Sequence, residues 1–267
     1  MPAVEFLLAF AALGAVVGFV AGLLGVGGGG IAVPVLTALF LAMGREDAVH
    51  LALGTSMAAM VVTSFSSMRS HRANGNVVAQ LVWLMAPAVI LGTFAATFLA
   101  ARAPARALAV FFACFMGFVA LQMFRSARGD ADTRGLLPRP ALFAGGVGIG
   151  AVSALVSIGG GSLTVPFLNW QGVDIRRAIG TSAAIGLPIA LAGATGYVLN
   201  GLGRTAGEGV VGFVHLPAAA LIASTSFFMA PHGARMATRV PVRPLKRIFA
   251  VMLLLLALKM LHSVLTH

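Results

Sequence analysis

The chain has 267 residues, of which 59% are hydrophobic and only 9% are charged, and its mean hydropathy is +0.99. Soluble domains carry about a quarter charged residues, so the composition excludes a soluble globular protein. The net charge of +11 does not indicate a nucleic-acid partner, because the 18 basic residues are scattered between apolar stretches and form no basic domain. This placement is typical of membrane topology signals.

Apolar segments follow one another along the whole chain, and the longer ones can cross a hydrocarbon layer of about 30 Å. In order they cover residues 5–25, 31–43, 48–68, 77–100, 106–124, 141–157, 163–171, 175–200, 209–232 and 244–264. We predict an all-α polytopic membrane protein with 8–10 transmembrane segments. Its first membrane repeat covers residues 1–124, its polar linker 125–139 and its second membrane repeat 140–267.

Short motifs recur in the same order in both halves, which predicts an internal duplication. The stretches 26–36 and 158–168 both contain a glycine run followed by Val-Pro, and Gly-Thr-Ser occurs at 54–56 and again at 180–182. Pro87 and Pro217 each lie in the fourth segment of their half, and we expect both to kink a helix.

The basic residues indicate how the two repeats are oriented in the membrane. If the segment 5–43 crosses once, they divide almost evenly between the two sides. If this segment is broken and returns, each half crosses an odd number of times, and most basic residues fall on the side of the polar linker. Because cytoplasmic loops are enriched in Lys and Arg, we predict inverted repeats with the linker in the cytoplasm and both termini outside.

The glycine runs predict helices that are broken, or re-entrant, at membrane depth. Consecutive glycines hold a helix poorly, at about 1 kcal/mol each relative to alanine, whereas proline suits a first helical turn. We therefore expect new helices to begin near Pro34 and Pro166. Their N-termini would offer free N–H groups to an anion, with hydroxyls of the Gly-Thr-Ser motifs nearby. The candidate substrate-binding residues are Gly27, Gly28, Gly29, Gly30, Thr55, Ser56, Gly159, Gly160, Gly161, Ser162, Thr181 and Ser182.

Some of these features have structural alternatives. Membrane glycines often serve close helix packing, which we expect of Gly14, Gly18 and Gly22 and of Gly146 and Gly150. The hydroxyls can bond to a carbonyl of their own helix. No acidic residue lies at the centre of an apolar segment, and no spacing is typical of a metal or catalytic site. We therefore predict no catalytic residue, no metal, no cofactor and no enzyme activity.

With these motifs the chain resembles the TauE/SafE family of sulfite and organosulfonate exporters. The resemblance rests on Gly-Gly-Gly-x-x-x-Val-Pro at 27–34 and 159–166, on the Gly-Thr-Ser motifs, and on His71-Arg72-x-Asn-Gly-Asn. It implies a carrier in the bacterial inner membrane, expected to be an exporter, for small organic or inorganic sulfur-containing anions such as sulfite or sulfoacetate. The expected mechanism is alternating access around the two glycine breaks.

Two other functions stay open at this point, a passive anion channel and a carrier of another small carboxylate anion. The partners that we expect are a small anionic solute and the lipid bilayer, without nucleic acid. A homodimer is a candidate assembly.

Overall fold

The computed structural model describes residues 4–24, 28–125, 137–205, 207–236 and 242–266. Within these ranges the chain forms ten helices and one short hairpin. They are α1 (Val4–Leu24), α2 (Gly29–Ala42), α3 (Ala48–Ala73), α4 (Ala79–Arg102), α5 (Ala105–Arg125), α6 (Arg139–Val156), α7 (Gly161–Trp170), α8 (Ile175–Gly201), β1 (Val210–Val211), β2 (Val214–His215), α9 (Leu216–Met236) and α10 (Val242–Thr266). The predicted all-α polytopic fold is confirmed.

Helix length separates spanning helices from partial ones. In the described ranges, α1, α3, α4, α5, α6 and α8 are long and apolar enough to cross a membrane. The helices α2 and α7 have 14 and 10 residues. At a rise of about 1.5 Å per residue they reach only about 21 and 15 Å, short of a hydrocarbon core of about 30 Å. Each is therefore the short second member of a broken pair, α1–α2 or α6–α7.

The helices pack in pairs that recur in both halves. α1 packs against α9, and its counterpart α6 packs against α4. α3 also packs against α9, and its counterpart α8 packs against α4. Finally, α2 packs against α3, and α7 packs against α8. The third helices of the halves, α3 and α8, pack against each other and run antiparallel, because Ser64 lies beside Gly186 and Met57 beside Gly193. Both halves therefore build one interlocked bundle.

Glycines allow the tightest of these contacts. Gly18 of α1 lies against the backbone of Ser226 on α9, and Gly150 of α6 lies against the backbone of Val89 and Thr93 on α4. Gly14, Gly22 and Gly146 approach the same partner helices. The prediction that these glycines serve close packing is confirmed.

The two prolines matched in the sequence do not occupy equivalent places. Pro87 lies inside α4, but Pro217 is the second residue of α9. Proline is tolerated in a first helical turn because its missing N–H would have no helical partner there. The expectation that Pro217 kinks its helix is therefore wrong, and the proline inside α9 is Pro231.

The helix ends gather in two groups. In one group, His50 bonds to the carbonyl of Ala103 at 3.1 Å, and Arg204 donates to the carbonyl of Ala101 at 3.0 Å. In the other, the N–H of Leu137 donates to Gln171 at 3.2 Å, and Gly180 lies against Asn76. The second group, which we call the linker end, contains the start of α6 and hence the side of the polar linker. This division agrees with an odd number of passes in each half.

Reporter fusions test this topology. A reporter active only in the cytoplasm is expected to be active when fused at Arg128 in the linker and inactive when fused after His267, because each half makes an odd number of passes. A reporter active only outside the cytoplasm serves as the control and should give the opposite pattern. Equal activity of one reporter at both sites would contradict the arrangement.

A pair of neighbouring glycines on α6 tests the packing. A Cβ at Gly150 would overlap with the backbone of α4, whereas nothing lies within 4 Å of a Cβ at Gly148. We expect Gly150→Val to destabilise the protein by about 1–3 kcal/mol, the usual cost of overpacking, and to lower the melting temperature in detergent. Gly148→Val controls for the loss of a glycine, and equal melting temperatures of the two variants would contradict the assignment.

Candidate functional site

Both glycine runs interrupt the chain between two helices. Gly28 has φ 74° and ψ −9°, and Gly160 has φ 74° and ψ −16°. This left-handed conformation favours glycine, and each residue caps the helix that follows it. Gly27 lies outside the described residues.

The new helices begin earlier than the sequence predicted. α2 starts at Gly29 and α7 at Gly161, so the expectation of a start near Pro34 or Pro166 is wrong. Glycine adopts helical angles as well as left-handed ones, and one left-handed residue is enough to end the break. Each proline is the sixth residue of its helix and leaves the carbonyl four residues before it without its helical donor.

The first turn of α7 carries unpaired donors. The amides of Gly161 and Ser162 make no hydrogen bond within the described part of the chain, and neither do those of Gly29 and Gly30 in α2. Orphan amides at a helix N-terminus, together with the helix dipole, favour an anion. Both breaks therefore present the same kind of backbone group.

Two hydroxyls distinguish α7 from α2. The side chains of Ser162 and Thr164 are 5% and 0% exposed, and neither oxygen has a hydrogen-bond partner among the described residues. The matching positions of α2 are Gly30 and Ala32. A buried hydroxyl without a partner costs about 1–3 kcal/mol, so this pair suits a site whose missing partner is a ligand.

The two breaks lie against each other. Gly29 contacts the carbonyl of Ser157 so closely that it has no room for a side chain. Ser157 ends α6 with a φ of 52°, and its hydroxyl donates to the carbonyl of Leu53 on α3 at 2.6 Å. The contact between Gly29 and Ser157 therefore joins the start of α2 to the end of α6.

Side chains from α3 and α8 cap the helices that precede the breaks. His71 bonds through Nε2 to the carbonyl of Gly22 at 3.1 Å, and the hydroxyl of Tyr197 donates to the carbonyl of Ala154 at 2.9 Å. Both carbonyls lie in the last turn of their helix, and that of Ala154 also accepts the N–H of Ser157 at 3.4 Å. Sequence reasoning missed these caps, although His71 and Tyr197 each lie 16 residues after the threonine of their Gly-Thr-Ser motif.

The threonines of the Gly-Thr-Ser motifs hold the chain that enters the fourth helix of the other half. Thr55 Oγ1 accepts the N–H of His215, just before α9, at 2.9 Å. Thr181 Oγ1 accepts the N–H of Val78, just before α4, at 3.0 Å. Both threonines are fully buried. Their hydroxyl oxygens thus have structural partners, and their contact with an anion stays a prediction.

The remaining residues of these motifs also contact protein. Gly54 and Gly180 lie against the backbone of the same entering segments. Ser182 donates to the carbonyl of Ile179 at 2.8 Å, which is the alternative of bonding within its own helix. Ser56 is buried at the following position of the first motif.

The sequence profile of the family described as "Sulfite exporter TauE/SafE" matches residues 10–260. The chain belongs to the TauE/SafE family. It is 36% identical over 259 residues, 96% of this chain and 98% of the other, to a "Probable membrane transporter protein" of Haemophilus influenzae.

Further relatives of this chain carry similar names. Identity is 25% over 272 residues, 96% of this chain and 97% of the other, with a "Probable membrane transporter protein" of Methanocaldococcus jannaschii. With one of Bacillus subtilis it is 27% over 192 residues, 69% and 76% of the two chains. No solved structure matches the chain significantly. The protein is a multi-pass membrane transporter.

Thr181 allows a test of the anchoring role in this TauE/SafE protein. Thr181→Val removes the oxygen that accepts the Val78 N–H and leaves a half-buried donor unpaired, which we expect to cost about 1 kcal/mol. Melting temperature in detergent measures the loss. Thr181→Ser keeps the oxygen and should retain most of the stability. The anchoring role would be contradicted by a valine variant as stable as the serine variant.

Proposed function

We propose that this protein transports a small sulfur-containing anion, such as sulfite or sulfoacetate, across the bacterial inner membrane by alternating access around its two breaks. The observation that carries the proposal is the first turn of α7, where two amides and the buried hydroxyls of Ser162 and Thr164 have no hydrogen-bond partner among the described residues. The family description supplies the class of substrate.

The chemistry of the first turn of α7 fits an oxyanion. Amide N–H and hydroxyl groups donate hydrogen bonds, and a sulfonate or sulfite group offers three acceptor oxygens. Such an anion could accept from the amides of Gly161 and Ser162 and from a hydroxyl of the same turn, which have no other partner among the described residues. Hydrogen bonds to a charged partner contribute about 1.5–3 kcal/mol each. A site of neutral donors holds an anion without the strong attraction of a buried basic side chain, which favours release.

The two breaks offer different groups, which supports a substrate that binds in one orientation. α7 offers amides and hydroxyls, whereas α2 offers amides and the small residues Gly30 and Ala32. We propose that the anionic group binds at α7 and that the rest of the solute extends toward α2. The contact between Gly29 and Ser157 keeps the two breaks within reach of one small molecule.

The packing pattern supports inverted repeats, the architecture in which transporter sites form at broken helices. Helix pairs recur when the two halves are exchanged, and α3 and α8 run antiparallel. Because α1 is packed tightly on α9 and α6 on α4, the moving units would combine helices from both halves. Alternating access would then open the breaks first to one side and then to the other.

Purified protein in liposomes tests the proposal. We expect saturable uptake of labelled sulfite and sulfoacetate, and counterflow when unlabelled anion is placed inside. Sulfate and zwitterionic taurine measure the selectivity. Uptake without saturation or counterflow would favour a channel, uptake of carboxylates alone would favour a carboxylate carrier, and no anion uptake would contradict the proposal.

Ser162 gives the sharpest mutational test of this site. Ser162→Ala removes one donor and leaves no group unpaired, so we expect it to weaken anion binding about 10- to 100-fold, the equivalent of one hydrogen bond to a charge. Counterflow and titration calorimetry measure the change. Thr164→Val should act in the same direction, and Thr164→Ser, which keeps the hydroxyl, is the matched control. Unchanged affinity in both Ser162→Ala and Thr164→Val would remove the hydroxyls from the site.

A further inference from the structure

One ring nitrogen of His71 takes no part in capping α1. Its side chain is 3% exposed, and its Nε2 bonds to the carbonyl oxygen of Gly22. Because a carbonyl oxygen only accepts, Nε2 carries the hydrogen and the neutral ring keeps a lone pair on Nδ1. Nδ1 is buried and has no partner in the part of the chain that the structure describes. This nitrogen can therefore accept a proton without breaking the cap.

Tyr197 indicates what the cap alone requires. It occupies the matching position of α8 and caps the matching carbonyl, that of Ala154, with a single O–H donor. A phenol has no second nitrogen and does not become a cation. The Nδ1 atom of His71 is therefore not needed for capping. It is the group that the cap of the first half has and the cap of the second half lacks.

Two serines lie on the same face of α3 as His71, one turn and two turns before it, in the i, i+3 and i+7 pattern of one helix face. Ser67 is 2% exposed, and its Oγ has no partner among the described residues. Ser64 Oγ and the carbonyl oxygen of Gly159 both lie within 3.1 Å of the position that a Cβ would take at Gly186. The row Ser64–Ser67–His71 thus extends from the break before α7 to the linker end of α3.

We propose that His71 binds a proton at Nδ1 when the anion binds, so that one proton crosses with each anion. This inference rests on the proposed function. The proton comes from the aqueous phase at the linker end and joins the Nδ1 lone pair, while Nε2 keeps its hydrogen and still donates it to the carbonyl oxygen of Gly22. The resulting imidazolium offsets one negative charge at the break. Ser67 and Ser64 lie in the row between the two charges, and their hydroxyls can both donate and accept.

Among the residues that the structure describes, the elements packed around His71 offer no carboxylate to take the place of the anion. On α1 the acidic residue is Glu5, in the first turn at the opposite end from Gly22. Asp174 accepts the amides of Arg176 and Arg177 at the start of α8. The other titratable or charged groups near the linker end of α3, α8 and α9 are basic and exposed: Arg69, Arg72, Arg176, Arg177, His232 and Arg235. The transported anion is therefore the negative charge that would stabilise the imidazolium.

The variant His71→Tyr separates capping from protonation, because Tyr197 of α8 makes the equivalent cap without a nitrogen that binds a proton. The probe is labelled sulfoacetate, which stays fully ionised between about pH 6 and 8, in liposomes that hold a pH dye and have their membrane potential clamped. Wild type is expected to bring protons in with sulfoacetate and to accumulate it about tenfold per unit of inward pH gradient. His71→Tyr is expected to equilibrate sulfoacetate with no proton entry and no accumulation.

Two further variants complete the test. His71→Gln keeps a donor for Gly22 and replaces the tyrosine variant if that protein does not fold. His232→Gln removes an exposed histidine that bonds to the carbonyl of Phe228 at 2.8 Å, and it should leave proton entry unchanged.

The outcomes separate this inference from the proposed function. Proton entry in the tyrosine or glutamine variant would overturn the role of His71. Sulfoacetate uptake by wild type without protons would also overturn it and would leave anion transport standing. If wild type moved neither sulfoacetate nor sulfite, the proposed function would fail, and this inference with it.

Discussion

The structure depends on one constraint, that backbone polar groups away from water must find partners. Two helix breaks at membrane depth expose carbonyls at the ends of α1 and α6 and amides at the starts of α2 and α7. His71 and Tyr197 cover a carbonyl on each preceding helix. The amides that begin α2 and α7 receive no comparable cover within the described residues. The breaks are thus stabilised on their carbonyl side and left available on their amide side, which is the polarity that an anion requires.

The same helix pairs form in both halves, but the side chains near the two breaks differ. Thr55 and Thr181 anchor equivalent segments, and the same helix pairs form when the halves are exchanged. The differences are concentrated near the breaks. Ser162 and Thr164 add hydroxyls to the first turn of α7, where α2 has Gly30 and Ala32, and a histidine replaces tyrosine as the cap on the side of α1. Substrate orientation and ion coupling would then arise from a few side chains on a frame whose helix pairs recur in both halves.

Much of this fold could be predicted from the sequence, because its strongest signals are local. The apolar segments, the left-handed glycines before α2 and α7, and the packing glycines of α1 and α6 all follow from composition and spacing. Each short helix begins five residues before the predicted proline, because glycine adopts helical angles as well as left-handed ones. The caps were missed because His71 and Tyr197 lie 49 and 43 residues from the carbonyls that they contact. Contacts between residues so far apart in the sequence form only when the chain folds. The sequence nevertheless marks both positions, because each lies 16 residues after the threonine of a Gly-Thr-Ser motif.

The exchange of partners between the halves bears on how such a chain could arise. α1 of the first half is packed on α9 of the second, and α6 of the second on α4 of the first. A single half would leave these glycine-lined surfaces facing lipid with no complementary ridge. If the protein descends from a gene that encoded one half, that ancestor would have needed two copies inserted in opposite directions, interlocked as the halves are now. Fusion through residues 125–139 would then have fixed the relative orientation and freed each copy to diverge.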